Sequence, residues 1–435
     1  MKPTLLFFIL VMSGHLPAQD WMTIKDTSFP HLHLLDEFET PYQQPTSTLG
    51  WEDGVHISPN GLYLYCTYVP IDVLSFSLNS DLPNDFTADY SRGAPLYGMD
   101  MVTNPIGAPE WLHSDILVAT RTSTEVPFTT WELSNMARNF YSEGAPMPLF
   151  ENDTLVEMMT FTSNDNFSNN SDIWLIENTG YNPSGIGDSI NAPLNSHYKE
   201  DNPNLTRISD TELILFFDSD DIPGGEGDID IWFAYSNDNG LNWSIPENVA
   251  DINTATQEHQ PFIYYNAGED AWYLYYSAKH TDGKLAIFRS KQALVGNWNA
   301  WEVPELVISA GTTAGIGEPT LTRYGDLSFV VVYHDSEENS IYNRFDADAW
   351  YLPRKTFTAL EQSAPTEFSF YPNPIIDRVH FNEMMEEIKV FSTNGMLLLQ
   401  AFNQTNLNLR FLSSGIYYGQ LKKGDHIETV KLIKR

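Results

Sequence analysis

Short apolar segments rich in Leu, Ile, Phe, Tyr and Trp recur along residues 50–350, and polar turns containing Gly, Asn and Asp separate them. Segments of this length and composition are typical of β-strands. No part of this region shows a convincing amphipathic helix, whose apolar residues would recur every three or four positions. The pattern of apolar and polar positions therefore predicts an all-β fold.

The apolar segments form a repeat with a period of about 60 residues. Each unit opens with a Glu ahead of a short extended segment, usually with Pro, and an aromatic strand and a third strand follow. The opening glutamates are Glu52, Glu143, Glu200, Glu258 and Glu318. Units of three to four strands that cannot bury their faces alone predict a five-bladed β-propeller over residues 20–360.

Details of the repeat predict where the strands of each blade lie. The third strands are placed at 115–118, 172–175, 230–233, 285–288 and 340–342. A Trp-led segment closes most units, at Trp131, Trp243, Trp301 and Trp350. Segment 21–50 precedes the first unit and is expected to add an outer strand to the last blade.

The first interval of the repeat is longer than the others because residues 70–108 form an insert. A long loop inside a compact domain is usually functional or disordered, and this one is too aromatic to be typical of disorder. We expect the insert to fold over one mouth of the propeller axis. There it would form a ligand site together with Glu143, Glu200, Glu258 and Glu318.

The sequences of the repeats are similar to those of a known family. The turn at 218–232 contains Pro-Gly-Gly-x-Gly followed by Asp-Ile-Trp, and residues 57–65 form a Ser-Pro-Asn-Gly hairpin. Both segments resemble the TolB-type, WD-repeat-like propellers. The resemblance spans roughly 50–350, is clearest around 190–280 and implies the propeller fold without a defined activity.

The two ends of the chain carry targeting signals. Residues 1–19 have the charged start, apolar middle and small-residue end of a secretory signal peptide. No later segment is long and apolar enough to span a membrane as a helix, which requires about 20 residues. We therefore expect no transmembrane anchor.

The last seventy residues differ from the rest in composition. All of the net charge of −35 comes from the residues before 365, whereas residues 365–435 contain eight basic and seven acidic residues. After a linker at 361–365, this segment has the order Tyr-Pro-Asn-Pro at 371–374, Asn394-Gly395 at a hairpin, Gly415-Ile416-Tyr417 and a Lys-Leu-Ile-Lys end. This order resembles the type A C-terminal sorting domain of type IX secretion cargo, a small β-sandwich. The resemblance implies a partner in the secretion machinery, passage through the periplasm, and release or attachment at the outer cell surface.

The acidity of the chain limits the classes of partner. Nucleic-acid binding requires a cationic surface, so the charge of −35 excludes a general nucleic-acid binder. The only cysteine, Cys66, excludes an intramolecular disulfide framework and Cys-rich metal sites. No organic cofactor is expected.

Residues 236–243 fit the Asp-box pattern Ser-x-Asp-x-Gly-x-x-Trp. Its members are Ser236, Asp238, Gly240 and Trp243. We interpret this motif as structural: Asp238 accepts backbone hydrogen bonds, Gly240 adopts a positive φ, and Trp243 fills the blade.

An acidic turn at 218–230 suggests a metal. Asp218, Asp220 and Asp228 offer the oxygen ligands that Ca²⁺ prefers, although their order is not that of an EF-hand. Calcium is thus the one cofactor that the sequence suggests, and a solvated acidic hairpin is the alternative. His259, beside Glu258, lacks the spacing of a metal motif and is assigned to the ligand site.

Two hypotheses about function remain. The first is a non-catalytic propeller that binds an extracellular glycan or protein through its axial face, with Glu200, Glu258, His259 and Glu318 contacting the ligand. The second is a glycoside hydrolase, since Ser142 to Pro146 resembles the acid-bearing segment of family 43 enzymes. Glu143 would then protonate the leaving group and Asp53 would activate water. Against it, a recurrent Glu is better explained by hydrogen bonds between blades.

Overall fold

The computed structural model describes residues 21–28, 30, 33–48, 50–78, 114–136, 142–151, 155–163, 171–220, 222–336, 344–355, 368, 370–372, 375–393, 396–424 and 426–435. The chain divides into two compact units, Met1–Lys355 and Thr356–Arg435. The predicted signal peptide at 1–19 and the linker at 361–365 lie outside the described residues. So does the predicted insert beyond residue 78.

The first unit contains five four-stranded antiparallel sheets, one for each predicted blade. Blade 1 is β2 (Trp51–Ile57), β3 (Tyr63–Val69), β4 (Asp115–Thr120) and β5 (Glu132–Leu133). Blade 2 is β6 (Glu143–Phe150), β7 (Leu155–Ser163), β8 (Asp172–Gly180) and β9 (Asp188–Ser189). Blade 3 is β10 (Lys199–Arg207), β11 (Leu213–Asp220), β12 (Asp230–Ser236) and β13 (Glu247–Asn248). Blade 4 is β14 (Glu258–Asn266), β15 (Ala271–Lys279), β16 (Leu285–Lys291) and β17 (Glu305–Ile308). Blade 5 is β18 (Gly315–Leu321), β19 (Leu327–His334), β20 (Phe345–Leu352) and β1 (Tyr42–Gln43).

The blades are apolar on both faces because each sheet packs against two neighbours. In β11, Leu213, Leu215 and Phe217 face a core shared with blade 2. Ile214 and Phe216 of the same strand face a core shared with blade 4. Successive side chains of a strand point to opposite faces, so a strand buried on both faces is apolar at nearly every position. Five such cores lie between the five pairs of adjacent blades.

The five sheets close into a ring. The innermost strands β2, β6, β10, β14 and β18 each contact the next, and β18 contacts β2. The ring is completed by β1, whose Tyr42 and Gln43 pair with Tyr351 and Trp350 of β20. The outer strand predicted from segment 21–50 is thus present, and the all-β propeller fold is confirmed.

The fifth blade differs in one respect from the sequence prediction. The third strand was expected at 340–342, which lies outside the described residues, and the structure places it at Phe345–Leu352. Trp350 therefore belongs to the third strand rather than to a closing segment. The prediction that Trp350 closes the blade was wrong because the fourth strand of this blade is β1, from the N-terminal part of the chain.

Two short helices accompany the propeller, α1 (Trp21–Thr27) and α2 (Val73–Leu78). The described start of the insert contains α2. Asp72 accepts hydrogen bonds from the backbone N–H of Ser75, at 2.9 Å, and of Phe345 in blade 5, at 2.7 Å. Asp72 thereby caps α2 and fixes the beginning of the insert to blade 5.

The second unit is an antiparallel sheet with its own apolar core. Its strands are β21 (Phe370–Tyr371), β22 (Arg378–Phe391), β23 (Leu397–Asn408), β24 (Gly415–Lys423) and β25 (His426–Lys434). The long β22 pairs with β21, β23 and β24. The predicted Asn394-Gly395 turn lies outside the described residues, but the strands on either side of it pair, with Phe391 opposite Leu397.

Candidate ligand site in the axial pocket

Each inner strand carries a β-bulge at its axial end, where the pairing with the second strand shifts register. At the bulge one residue has a positive φ, between 44° and 59°. These residues are Gly54, Ala145, Asn202, Gln260 and Glu318. Four of the five have side chains, for which a positive φ is uncommon. Such strained positions accumulate at functional sites.

The backbone N–H at each bulge is satisfied by a side chain. Gly54 N donates to Asp53 Oδ1 at 3.0 Å, and Asn202 N donates to Asp201 Oδ1 at 2.8 Å. Hydroxyl, carboxylate and amide oxygens accept the other three bonds. The donor–acceptor pairs are Ala145 to Thr67 (2.8 Å), Gln260 to Asp218 (2.7 Å) and Glu318 to Gln260 (3.1 Å). The acidic residues near the axis thus also hold the bulges in place.

The bulges surround a pocket on the axis with a volume of about 510 Å³, which is within the usual range for small-molecule sites. All five blades contribute to its lining. Among the lining residues are Asp53, Thr67, Ala145, Lys199, Asp201, Asn202, Gln260 and Glu318. Most of these side chains donate or accept hydrogen bonds, and within the part of the chain that the structure describes no aromatic residue lines the pocket.

The lining of the pocket is asymmetric because the side chain at the bulge position becomes longer from blade 1 to blade 5. Gly54 and Ala145 of blades 1 and 2 carry no side chain beyond Cβ, whereas Asn202, Gln260 and Glu318 of blades 3 to 5 carry longer polar side chains. Gln260 Nε2 donates to Glu318 Oε1 at 2.5 Å, which fixes both side chains. Among the bulge residues with a side chain, Ala145 therefore has the shortest one.

Below the pocket the axis narrows. A cavity of about 30 Å³ is lined by Pro146, Pro203, Pro261, Pro319 and His56. Burial lowers the pKa of His56 to about 3, so that its ring is neutral at physiological pH. The prolines that follow the bulges thus form a constriction beneath the pocket.

The carboxyl groups near the axis are easily protonated. Burial, the charge of Asp53 and a hydrogen bond with its carboxylate raise the pKa of Glu318 well above its usual range. Burial and the charge of Asp201 raise the pKa of Asp218 to about 7. Burial also raises the pKa of Asp201. Like charges held close together favour such proton uptake.

The recurrent glutamates do not line this pocket. Glu52, Glu200 and Glu258 are buried, and each accepts hydrogen bonds from the backbone and hydroxyl of the Thr or Ser four residues earlier, in the linker between blades. Glu143, the proposed acid of the hydrolase hypothesis, opens β6 in the same way and is fully buried. Its neighbours Ser142 and Gly144 line the pocket.

Glu318 was assigned to the wrong repeat position. Its bulge aligns it with Gln260, two residues after Glu258, and Ile316 occupies the position of the recurrent Glu in blade 5. Because of this offset Glu318 reaches the axis. The sequence analysis identified Asp53 and Glu318 but missed Asp201, Asn202 and Gln260. One signal in the sequence could have located the site. The residue two positions after each repeated Glu differs from blade to blade, whereas the residues around it repeat.

His259 lies beside the axial site without lining it. It pairs with Ser277 of β15, and burial lowers the pKa of its imidazole to about 4. Among the described residues its Nε2 has no hydrogen-bond partner.

The acidic turn does not form the predicted calcium site. Asp218 accepts hydrogen bonds from Asn202 and Gln260 near the axis, and Asp220 pairs with Lys199 at 3.3 Å. Asp228 uses its backbone N–H to bond Thr256. Within the part of the chain that the structure describes, no three acidic, His or Cys residues are arranged to hold a metal. The carboxylates of Asp218 and Asp220 bond to different partners and Asp228 lies in the turn before β12, so the three predicted ligands are not brought together.

The segment 236–243 forms a compact turn at the end of β12. Asp238 accepts hydrogen bonds from the backbone N–H of Asn242 (2.9 Å) and from its side-chain amide (2.7 Å), and these lower the pKa of Asp238. Gly240 has a φ of 86°, and Trp243 is buried in the core between blades 2 and 3.

Comparison with known families concerns the second unit. Residues 369–435 match the family described as "Secretion system C-terminal sorting domain". The second unit is a type IX sorting domain. It directs the protein to the cell surface or to the medium, and no helix in the described residues is long and apolar enough to cross a membrane.

The propeller has no comparable assignment. No curated protein is significantly similar to the chain. Among solved structures, the catalytic domain of Coprinopsis cinerea GH62 α-L-arabinofuranosidase is 9% identical, with a TM-score of 0.46, and the match covers 75% of this chain and 98% of that one. A thermostable family-43 glycoside hydrolase is 15% identical, with a TM-score of 0.43 and coverage of 74% and 99%. The endo-arabinase from Bacteroides thetaiotaomicron is 14% identical, with a TM-score of 0.40 and coverage of 71% and 96%.

Removal of the sorting domain should block export without unfolding the propeller. The domain has its own core, so a chain ending at residue 360 keeps all five blades. We expect the truncated protein to accumulate in the periplasm, as measured by immunoblotting of periplasmic and medium fractions beside a soluble periplasmic marker. Truncated protein in the medium at the level of the full-length chain, with the marker retained, would contradict this expectation.

Proposed function

We propose that the protein is an exported propeller that binds a neutral, polyhydroxylated ligand, such as the end of a glycan, in the axial pocket. The observation that carries this proposal is the ring of hydrogen-bonding side chains contributed by all five blades. Sugar hydroxyl groups both donate and accept hydrogen bonds. Amides, hydroxyls and carboxyl groups at fixed positions match that requirement.

The charge of the pocket supports a neutral ligand. The raised pKa of Glu318 keeps its carboxyl protonated, so that it shares a hydrogen bond with Asp53 instead of adding a second negative charge. Lys199 supplies a positive charge on the rim beside Asp201. An anionic sugar or a phosphate would need a cluster of arginines, and the described residues that line the pocket include one lysine and no arginine.

Binding should weaken as the pH rises. Ionisation of Glu318 places two adjacent carboxylates in the pocket, and ionisation of Asp218 above about pH 7 adds a third charge nearby. Affinity for a neutral ligand should then fall by up to about tenfold per pH unit for each proton lost. Titration calorimetry with neutral oligosaccharides at about pH 6 and about pH 9 measures this change.

The variant Glu318→Gln tests which group is responsible. Gln has the same size, cannot ionise and still donates a hydrogen bond, so the variant should bind at low pH and lose less affinity at high pH. Glu302→Gln, at an exposed position away from the pocket, is the matched control and should behave as the wild type. Equal pH dependence in wild type and Glu318→Gln would contradict the assignment. Absence of binding to every neutral oligosaccharide would contradict the proposed function.

Glycoside hydrolysis is a second candidate, supported by the hydrogen bond between Asp53 and a protonated Glu318 in an open pocket. In this form Glu318 would act as the acid in place of Glu143, and Asp53 would act as the base. The hydrogen bond holds the carboxyl groups of Asp53 and Glu318 closer together than the about 5–10 Å that separates the two carboxyl groups of glycosidases. This short separation favours binding over cleavage. New reducing ends from an oligosaccharide, lost in Asp53→Asn, would establish hydrolysis instead.

A further inference from the structure

A second concave site lies between blades 3 and 4, at the opposite ends of the strands from the axial pocket. The axial pocket is formed where the inner strands begin, as at Lys199. The second site is formed beyond the end of β10, at Ile208, and at the end of β12, at Tyr235. We call it the interblade groove. Its volume is about 490 Å³, which again suits a small-molecule ligand.

Aromatic side chains form one wall of the interblade groove. Trp272 at the start of β15 and Trp298 in the loop after β16 both line it, with their ring centres 5.5 Å apart. Tyr265 packs on Trp272 at 4.9 Å, and Trp298 packs on the buried Trp301 at 6.3 Å. Neighbouring rings therefore hold the two tryptophans in place before any ligand arrives.

Polar side chains also line the groove, beside the apolar Ile208, Phe233 and Val295. Glu247 accepts a hydrogen bond from Asn299 Nδ2 at 2.9 Å, and Asn299 Oδ1 has no partner among the described residues. Glu212 and Asn297 also line the groove, and no Lys or Arg is among the described residues of its lining. A groove with two carboxylates and no cation disfavours phosphates, acidic sugars and anionic lipids.

We propose that the interblade groove binds a neutral oligosaccharide, independently of the axial pocket. The apolar face of a sugar ring stacks on Trp272 or on Trp298, whose ring planes are inclined by 66°, and its hydroxyl groups bond to Asn299, Asn297 and Glu247. Rigid aromatic faces beside amide and carboxylate groups supply both contacts that a sugar ring offers. A protein partner is less well matched, because specific protein interfaces need broad surfaces of roughly 800 Å² per partner rather than a narrow concave site.

Intrinsic tryptophan fluorescence of the full chain follows binding, and the effect of Trp272→Ala separates this site from the axial pocket, where Trp51 bonds to Asp53. Cello-, xylo-, manno- and arabino-oligosaccharides are titrated in turn. At least one should change the emission, and Trp272→Ala should weaken its binding by about tenfold. Val295→Glu, at a site that is 90% exposed and cannot disturb the core, should weaken the same binding by charging and crowding the rim.

Tyr324→Ala, an exposed aromatic residue of blade 5, is the matched control and should bind as the wild type. No response to any neutral oligosaccharide, or unchanged affinity in both groove variants, would overturn the proposal. Stronger binding of acidic than of neutral sugars would also overturn it. So would concentration-dependent self-association that Val295→Glu abolishes, because the groove would then be an interface between copies of the chain.

Discussion

Replacing Lys25 by Met should lower the free energy of unfolding of the propeller by about 3–5 kcal/mol. The Nζ of Lys25 lies 2.7 Å from Oδ2 of Asp346 and 2.7 Å from Oδ2 of Asp348. Both carboxylates are fully buried on β20, and the lysine side chain is only 11% exposed. Removal of the cation leaves buried negative charges without compensation.

A third buried carboxyl belongs to the same cluster. Burial and the charges of Asp348 and Asp346 raise the pKa of Glu52 in blade 1 well above its usual range. Burial lowers the pKa of Lys25, but the same two aspartates raise it by more, so the lysine stays charged. Lys25 of α1 therefore compensates the negative charge of the carboxylates that are buried between blades 5 and 1.

Urea unfolding followed by tryptophan fluorescence measures the loss. Lys279→Met, at an exposed position in β15, is the matched control and should change stability by less than about 0.5 kcal/mol. Adding Asp346→Asn to Lys25→Met should recover part of the loss, because it removes one of the unpaired charges. A Lys25→Met variant as stable as the control would contradict the role of this cluster.

A longer side chain at Ala145, which lines the axial pocket, should abolish most ligand binding. Ala145→Gln places on blade 2 the side chain that Gln260 carries at the same bulge position of blade 4. Since Gln260 adopts a φ of 58°, the backbone of the bulge accepts this residue. The added atoms occupy the space beside Ala145, and such overpacking should cost about 10- to 100-fold in affinity.

The matched control for this prediction is Ala145→Gly. Glycine suits the positive φ of 44° and leaves the pocket open, so binding should be retained. Calorimetry with the oligosaccharide that binds the wild type best compares the three proteins. Equal affinity of the Gln and Gly variants would show that the ligand does not enter on the side of blades 1 and 2.

Features that repeat were accessible from the sequence. The aromatic strands of the blades follow from burial on both faces, as in Leu213–Asp220, and the propeller fold was predicted correctly. The sorting domain was predicted from the order of its motifs and is confirmed by the match to its family.

Features that break the repeat were missed or misplaced. Glu318 looks like a fifth copy of the recurrent Glu because Pro319 follows it, and only the bulge shows that it is displaced by two residues. The pairing of Lys25 with Asp346 joins distant parts of the chain, and neither residue belongs to a motif. The axial site depends on such local exceptions, so it was only partly predictable.

The strand that completes blade 5 also determines when the propeller can finish folding. Gln43 and Asp348, which bond across β1 and β20, are 305 positions apart in the chain. Contacts over such separations form slowly, because a very long loop must be closed before they stabilise the fold. Until β1 arrives, the outer edge of β20 is an unpaired strand that can pair with other chains. Once formed, the pairing of β1 covers this edge, so the N-terminal strand protects blade 5 against aggregation as well as stabilising it.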